Sequence, residues 1–217
     1  MKIKNENLLN FENKGLYCSI CDTRIDPIRP VKRAIITHAH FDHVSIGCNE
    51  YISSYETSIL LRERLGNKIN IKAYDYGEIF KINGVSISLH PSGHILGASQ
   101  IRFEAGGIVW LVTGDFKKQF DSTCSSFDVI NTDYLICEST FSLPIFKWEN
   151  SELIANDISN WVEKNSDKTS LLFCYSLGKA QRLLNEIKDK KIKKIFTHNS
   201  ITKINKCYKK LGIDLID

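Results

Sequence analysis

Through the first 150 residues, apolar and polar positions alternate in short runs. Arg33–Thr37, Asn70–Tyr74, Gly84–His90, Gln100–Ala105 and Gly107–Thr113 each read as a strand. In the third run Val85, Ile87 and Leu89 alternate with Ser86, Ser88 and His90, the period of a half-buried strand. Asn83-Gly84 predicts a tight hairpin before it, because both turn residues need positive φ. Glu56–Leu65 reads as a helix, and Tyr134–Cys137 as a strand buried on both faces.

Beyond residue 150 the period switches. Leu153, Ile154, Ile158, Trp161 and Val162 form one helical stripe, with Ser151 as the expected N-cap. Ala180, Leu183, Leu184 and Ile187 form a second, and Ile201, Ile204, Tyr208 and Leu211 a third. Thr169–Tyr175, Lys194–Thr197 and Gly212–Ile216 read as the strands between and after them. Helix–strand alternation predicts a parallel sheet carrying helices, and ending within an apolar strand suggests an unfinished unit. The expected domains are therefore residues 1–150 and 151–217, with no internal repeat.

A chain of 217 residues is long enough to bury roughly 70% of its unfolded surface without disulfides. With 42% hydrophobic and 25% charged residues it is no disordered polymer. No apolar run nears the ~18 residues of a membrane span. The N-terminal stretch MKIKNENLLNFENKG has no apolar signal region, so a cytoplasmic location with 7 reduced cysteines is expected. Charge is uneven: residues 151–217 carry 13 Lys/Arg against 8 Asp/Glu, and residues 1–150 carry 16 against 17. That basic half is either a solvated helical face or a surface facing phosphates.

The strongest chemical signal is Thr37-His38-Ala39-His40-Phe41-Asp42-His43, which gathers three of the chain's 6 histidines directly after a strand. In extended backbone His38 and His40 point the same way and can grip one metal ion. Asp42 and His43 follow where the chain turns and can face a second ion. His94, after the strand Gly84–His90, supplies a third imidazole for the first ion, with Gly93 and Gly97 allowing close backbone approach. Asp115 closes the strand Gly107–Thr113 and can bridge two ions through its two oxygens. His90 is expected to be structural. Cys18-x-x-Cys21 lacks the second pair of a structural zinc site and is expected to be structural too. The other cysteines and the three tryptophans read as core residues, although Trp148 could stack a base.

The HxHxDH run at 38–43, His94 and Asp115 resemble the motifs of metallo-β-lactamase fold hydrolases. Cys137-Glu138-Ser139-Thr140-Phe141 and Tyr175-Ser176-Leu177-Gly178-Lys179-Ala180-Gln181 resemble those of its nucleic-acid-processing β-CASP branch. IDPIRPVKRAIITHAHFDH, HPSGHILGASQIRFE and ESTFSLPIF are most similar to bacterial DNA-ligase-associated and mRNA 3′-end-processing-like exonucleases. The resemblance implies an α/β fold: an αββα sandwich followed by a partial β-CASP domain.

It also implies two zinc ions, which would lower the pKa of a water held between them to ~7 for attack on DNA or RNA phosphodiesters. His38, His40 and His94 would hold the first ion, and Asp42, His43 and Asp115 the second. Asp42 would also orient the attacking oxygen, and Glu138 would partner a later histidine that protonates the leaving oxygen. Ser176 and Lys179, at a strand-to-helix loop, would seat a substrate phosphate. A DNA ligase or helicase would be a partner, in DNA repair or RNA processing. The family continues past this length to further histidines. The chain is accordingly expected to have an incomplete second metal site, and the alternative reading is a weakly active or inactive fragment that still binds nucleic acid. A small-molecule hydrolase of the same fold is the third reading.

Overall fold

A computed structural model describes residues 8–216; residues 1–7, where the stretch read as lacking a leader begins, and residue 217 lie outside the described residues. The chain forms two compact units, Met1–Glu138 and Ser139–Asp217.

The first unit is built on two sheets. β1 (Leu9–Glu12), β2 (Gly15–Cys18), β3 (Thr23–Ile25), β4 (Arg33–Ile35), β5 (Glu50–Ser54) and β6 (Ile71–Tyr74) lie side by side in chain order. The first three are antiparallel, and β3 through β6 run parallel. The second sheet has the order β11-β10-β9-β8-β7. Its β7 (Ile79–Ile82), β8 (Val85–Pro91), β9 (Ser99–Ala105) and β10 (Ile108–Val112) form an antiparallel meander, and β11 (Tyr134–Ile136) pairs parallel to β10. The β7–β8 turn is the expected one, with φ of 49° at Asn83 and 84° at Gly84.

Inner faces of both sheets contribute to one hydrophobic cluster. Leu16, Ile25, Ile35 and Ile52 of the first sheet join Val85, Ile87, Leu89, Ile101 and Phe103 of the second. α1 (Tyr55–Leu65) starts where the Ser54 hydroxyl accepts the Thr57 N–H, and buries Leu60 and Leu61. Both the Ser54 and Thr57 hydroxyls donate to the Gly97 carbonyl, tying the helix start to the loop after β8. The Ser99 N–H in turn donates to Thr37 O, joining the start of β9 to the segment that leaves β4.

β11 corrects one expectation. Among the described residues it is an edge strand with a single neighbour, so Tyr134 and Leu135 keep one side open to solvent rather than being buried on both faces.

The second unit consists of α2 (Ser151–Lys164), α3 (Lys179–Ile187) and α4 (Asn199–Lys210), the three expected helices. The N-cap of α2 is Asn150, not Ser151; its amide oxygen accepts the Glu152 N–H at 2.8 Å. The expected strands Thr169–Tyr175, Lys194–Thr197 and Gly212–Ile216 carry no ladder bonds among the described residues. An apolar run becomes a strand only against a partner, and Phe173 and Phe196, 92% and 88% exposed, have none packed over them. For the same reason the α2 stripe buries only Ala155, and Leu153, Ile154 and Trp161 stay exposed. Among the described residues, no helix is long and apolar enough to cross a membrane. The chain is an α/β protein.

Candidate metal centre

Three strand ends of the first unit converge. β4 leads through Thr37 into His38–His43, where Phe41–His43 form a single 3-10 turn; β8 leads to His94, and β10 to Asp115. The loop after β8 approaches other backbone so closely that only glycine fits at two positions. A Cβ on Gly93 would lie 2.2 Å from Lys117 O, and one on Gly97 would lie 2.5 Å from Thr57 N, both at positive φ.

Asp26, just beyond β3, organises the histidine loop. Its Oδ1 accepts the Thr37 N–H at 2.8 Å, and its Oδ2 accepts the Thr37 hydroxyl at 2.5 Å and His43 Nδ1–H at 2.8 Å. Because Thr37 gives its hydroxyl proton to Asp26, its oxygen accepts from His38 Nδ1 at 3.1 Å. His38 therefore turns a bare Nε2 toward His40 Nδ1, 3.0 Å away, and His94 Nε2 stands 3.4 Å from that same Nδ1.

Two nitrogens that each sit ~2.0–2.1 Å from one tetrahedral zinc ion are themselves about 3.4 Å apart. Facing lone pairs at this separation repel unless a proton or cation lies between them. Burial holds the His38 pKa well below its ordinary value, with the charges of His43, His94, His40 and Arg64 acting the same way. Burial also lowers His94 to about 4, helped by His40 and Lys117. Both rings are thus neutral at pH 7, and each has one nitrogen with a lone pair to offer. The ligand atoms of His38, His40, His94 and Asp115 all lie within 4.8 Å of one another, and the group could hold a metal ion.

Asp115 faces two ways. Its Oδ2 lies 3.6 Å from His94 Nε2 and 4.0 Å from His38 Nε2, while its Oδ1 lies 3.4 Å from His43 Nε2. Asp42 Oδ2 is 3.8 Å from that same His43 nitrogen. Burial raises the Asp115 pKa; His43 opposes this, and the neighbouring Glu138, Asp42 and Asp26 carboxylates add to it. Burial likewise disfavours a charge on His43, but the bond to Asp26 and the charges of Asp26, Asp115 and Asp42 outweigh it and raise His43 to about 9. A proton on His43 thus supplies positive charge among carboxylates, where a second cation would do the same.

Glu138, at the end of the first unit, accepts the Phe116 N–H at 3.0 Å next to Asp115. In the second unit Ser176 lies on the loop that opens α3, and Lys179 is the first residue of that helix. That loop is capped internally: Gln181 Oε1 accepts the Gly178 N–H at 2.8 Å, its Nε2 donates to Ser176 O, and the Ala180 N–H donates to Tyr175 O. Two of the N–H groups expected to face an anion are therefore already bonded.

His90 hydrogen-bonds Ser88 at 2.9 Å, outside the cluster. Cys18 and Cys21 are fully buried with sulfurs 2.8 Å apart. Cys137 and Trp161 are exposed rather than core, because β11 is an edge and α2 lacks a cover. Trp110 is buried, stacked on Tyr134. Two residues escaped sequence reasoning, Asp26 and Arg64. The Asp-Pro step at 26–27 carried no charge pattern of its own, and Arg64 sits among the ordinary helix charges of α1.

No protein-family model matches this chain. Among curated proteins it is 30% identical over 204 residues to a probable DNA ligase of Opitutus terrae, a match covering 92% of this chain and 20% of that one. It is 32% identical over 120 residues to endoribonuclease YSH1 of Yarrowia lipolytica, covering 52% of this chain and 14% of the other. It is 30% identical over 118 residues to cleavage and polyadenylation specificity factor subunit 3 of Dictyostelium discoideum, covering 52% and 15%. These are relatives in the β-CASP branch that the motifs resemble. The chain spans a fifth or less of the length of these relatives. Among solved structures, a protein of unknown function from Enterococcus faecalis V583 superposes with a TM-score of 0.60 at 13% identity, over 84% of this chain and 50% of that one, and so shares the fold.

Proposed function

We propose that this chain is a zinc-dependent phosphodiesterase that cleaves DNA or RNA strands from an end. The observation that carries the reading is Asp115, whose Oδ1 faces His43 while its Oδ2 faces His94 and His38. The relatives named as endoribonucleases support action on nucleic acid. Zinc at such a site supplies Lewis acidity and a nucleophile at neutral pH. His38, His40 and His94 would hold one ion, and Asp42, His43 and Asp115 a second. Neutral His38 and His94 offer lone pairs without first losing a proton. Asp42, with its side chain 80% exposed, stands at the rim and would align the attacking water. Glu138 is tethered to the loop that carries Asp115 and would hold the group that delivers a proton to the leaving oxygen.

Ser176 and Lys179 would bind a nucleic-acid phosphate, through side chains more than through the capped loop backbone. A DNA ligase would be a partner, a reading supported by the ligase-named relative that matches across 92% of this chain. The cytoplasm would be its location. The test is cleavage of labelled single-stranded DNA and RNA by the full chain and by His40→Ala. Stepwise shortening lost in the variant supports the proposal. Internal cuts would replace end-wise cleavage with endonuclease action, and equal cleavage by both proteins overturns the site.

A further inference from the structure

The residue between His40 and Asp42 is an aromatic ring that the metal chemistry does not use. Phe41 is 55% exposed, although it sits in the centre of the histidine loop. The Arg64 guanidinium lies over the ring at 3.6 Å from its centroid, and its Nη1 donates to Ala39 O in the same loop. Arg64 thus braces the ring from one side while hydrogen-bonding the backbone beneath it. Its charge is felt at His38 and it feels that of Asp42, so the pair stands beside the cluster. A ring held on one face by a cation and open on the other is a stacking surface.

We propose that Phe41, braced by Arg64, is the platform on which the nucleobase next to the scissile phosphate stacks. This rests on the phosphodiesterase reading and narrows its substrate to unpaired strands. A base inside a duplex already stacks on its neighbours and has no face to offer; a single strand has one at every nucleotide. Stacking of this kind tolerates any base, so the platform selects strandedness and not sequence. Phe41 touches the substrate in this account, and Arg64 is a positioning residue that keeps the ring upright.

The experiment uses the full chain with two single strands, one of ordinary nucleotides and one with abasic tetrahydrofuran residues flanking the cleaved linkage. Hydrolysis is measured as separate KM and kcat. Equilibrium binding is measured on phosphorothioate-linked versions that resist cleavage. Phe41→Ala is expected to raise KM and Kd for the ordinary strand roughly 5- to 150-fold with kcat nearly kept, and to leave the abasic strand unchanged. Phe41→Trp is expected to restore affinity, and Arg64→Ala to lose part of it. An equal loss on both strands, or no loss on either, overturns the platform. Base-dependent binding without hydrolysis of any strand would sink the phosphodiesterase reading and leave the platform standing. Hydrolysis indifferent to the bases would do the reverse.

Discussion

Asp26 Oδ2 accepts a hydrogen bond from His43 Nδ1 at 2.8 Å, and this contact decides which nitrogen of His43 faces the cluster. With Nδ1 committed, Nε2 points to Asp115 and Asp42. Carboxylates that orient a ligand histidine in this way typically change metal affinity 10- to 100-fold. Asp26→Asn is therefore expected to weaken the second zinc equivalent by about that factor and to leave the first nearly unchanged. Competition titration with a zinc-binding dye checks it. Unchanged affinity for both equivalents would remove Asp26 from the site.

The chelator-stripped chain is expected to be most stable near pH 6.5. His43, raised to about 9, binds more protons folded than unfolded between pH 6.5 and 9, so its contribution is full below pH 6.5 and fades as pH rises through 9. His94, lowered to about 4, has the opposite sign: the unfolded chain takes up a proton first, and stability falls as pH drops from 6.5 toward 4. Thermal melts across pH 4–9 would show a maximum, and His43→Gln would flatten its alkaline side. A Tm that rises steadily to pH 9 contradicts the assignment.

The turn that presents His94 is expected to tolerate no side chain at residue 93. A Cβ there would meet Lys117 O at 2.2 Å from a backbone at φ of 70°. Strain and overpacking together place the cost of Gly93→Ala at about 2–6 kcal/mol. Gly84→Ala, in open space at φ of 84°, carries the strain without the clash. Equal denaturation midpoints for the two variants would show that the loop yields more easily than this packing allows.

Much of the centre was legible because its residues sit at strand ends, where a short motif after an alternating run fixes both position and direction. The period-two runs located β8, β9 and β10, and so the departures of His94 and Asp115. The first three strands stayed hidden because β1 and β2 have four residues each, β3 has three, and β1 keeps only Leu9 buried, too little for a period to register. Asp26 was unreadable for a different reason: a lone carboxylate gains its meaning from Thr37 and His43, which reach it only across the β3–β4 pairing. In the second unit the stripes found the helices, but the runs between them could not reveal whether any strand faced them.

Lys179 is expected to contribute charge to strand binding. Its ammonium lies 4.9 Å from the Tyr175 ring centroid, whereas Arg182 on the next turn is already paired with Glu186 at 2.8 Å. Lys179→Glu should weaken binding of single-stranded oligonucleotide and reduce the slope of log affinity against log salt by about one. A slope equal to that of the unchanged chain would return the basic half to a solvated surface.

In the proposed reaction the histidine–carboxylate cluster holds the metal that drives phosphodiester cleavage. The most direct measurement strips the full chain with a chelator and returns zinc stepwise, following bound metal and strand cleavage in the same samples. The expected result is no cleavage by the stripped chain and recovery in step with zinc binding, both abolished in the His38→Ala, His94→Ala double variant. Cleavage that persists in the stripped chain, or zinc bound equally well by the double variant, would show that the cluster is not the catalytic metal site.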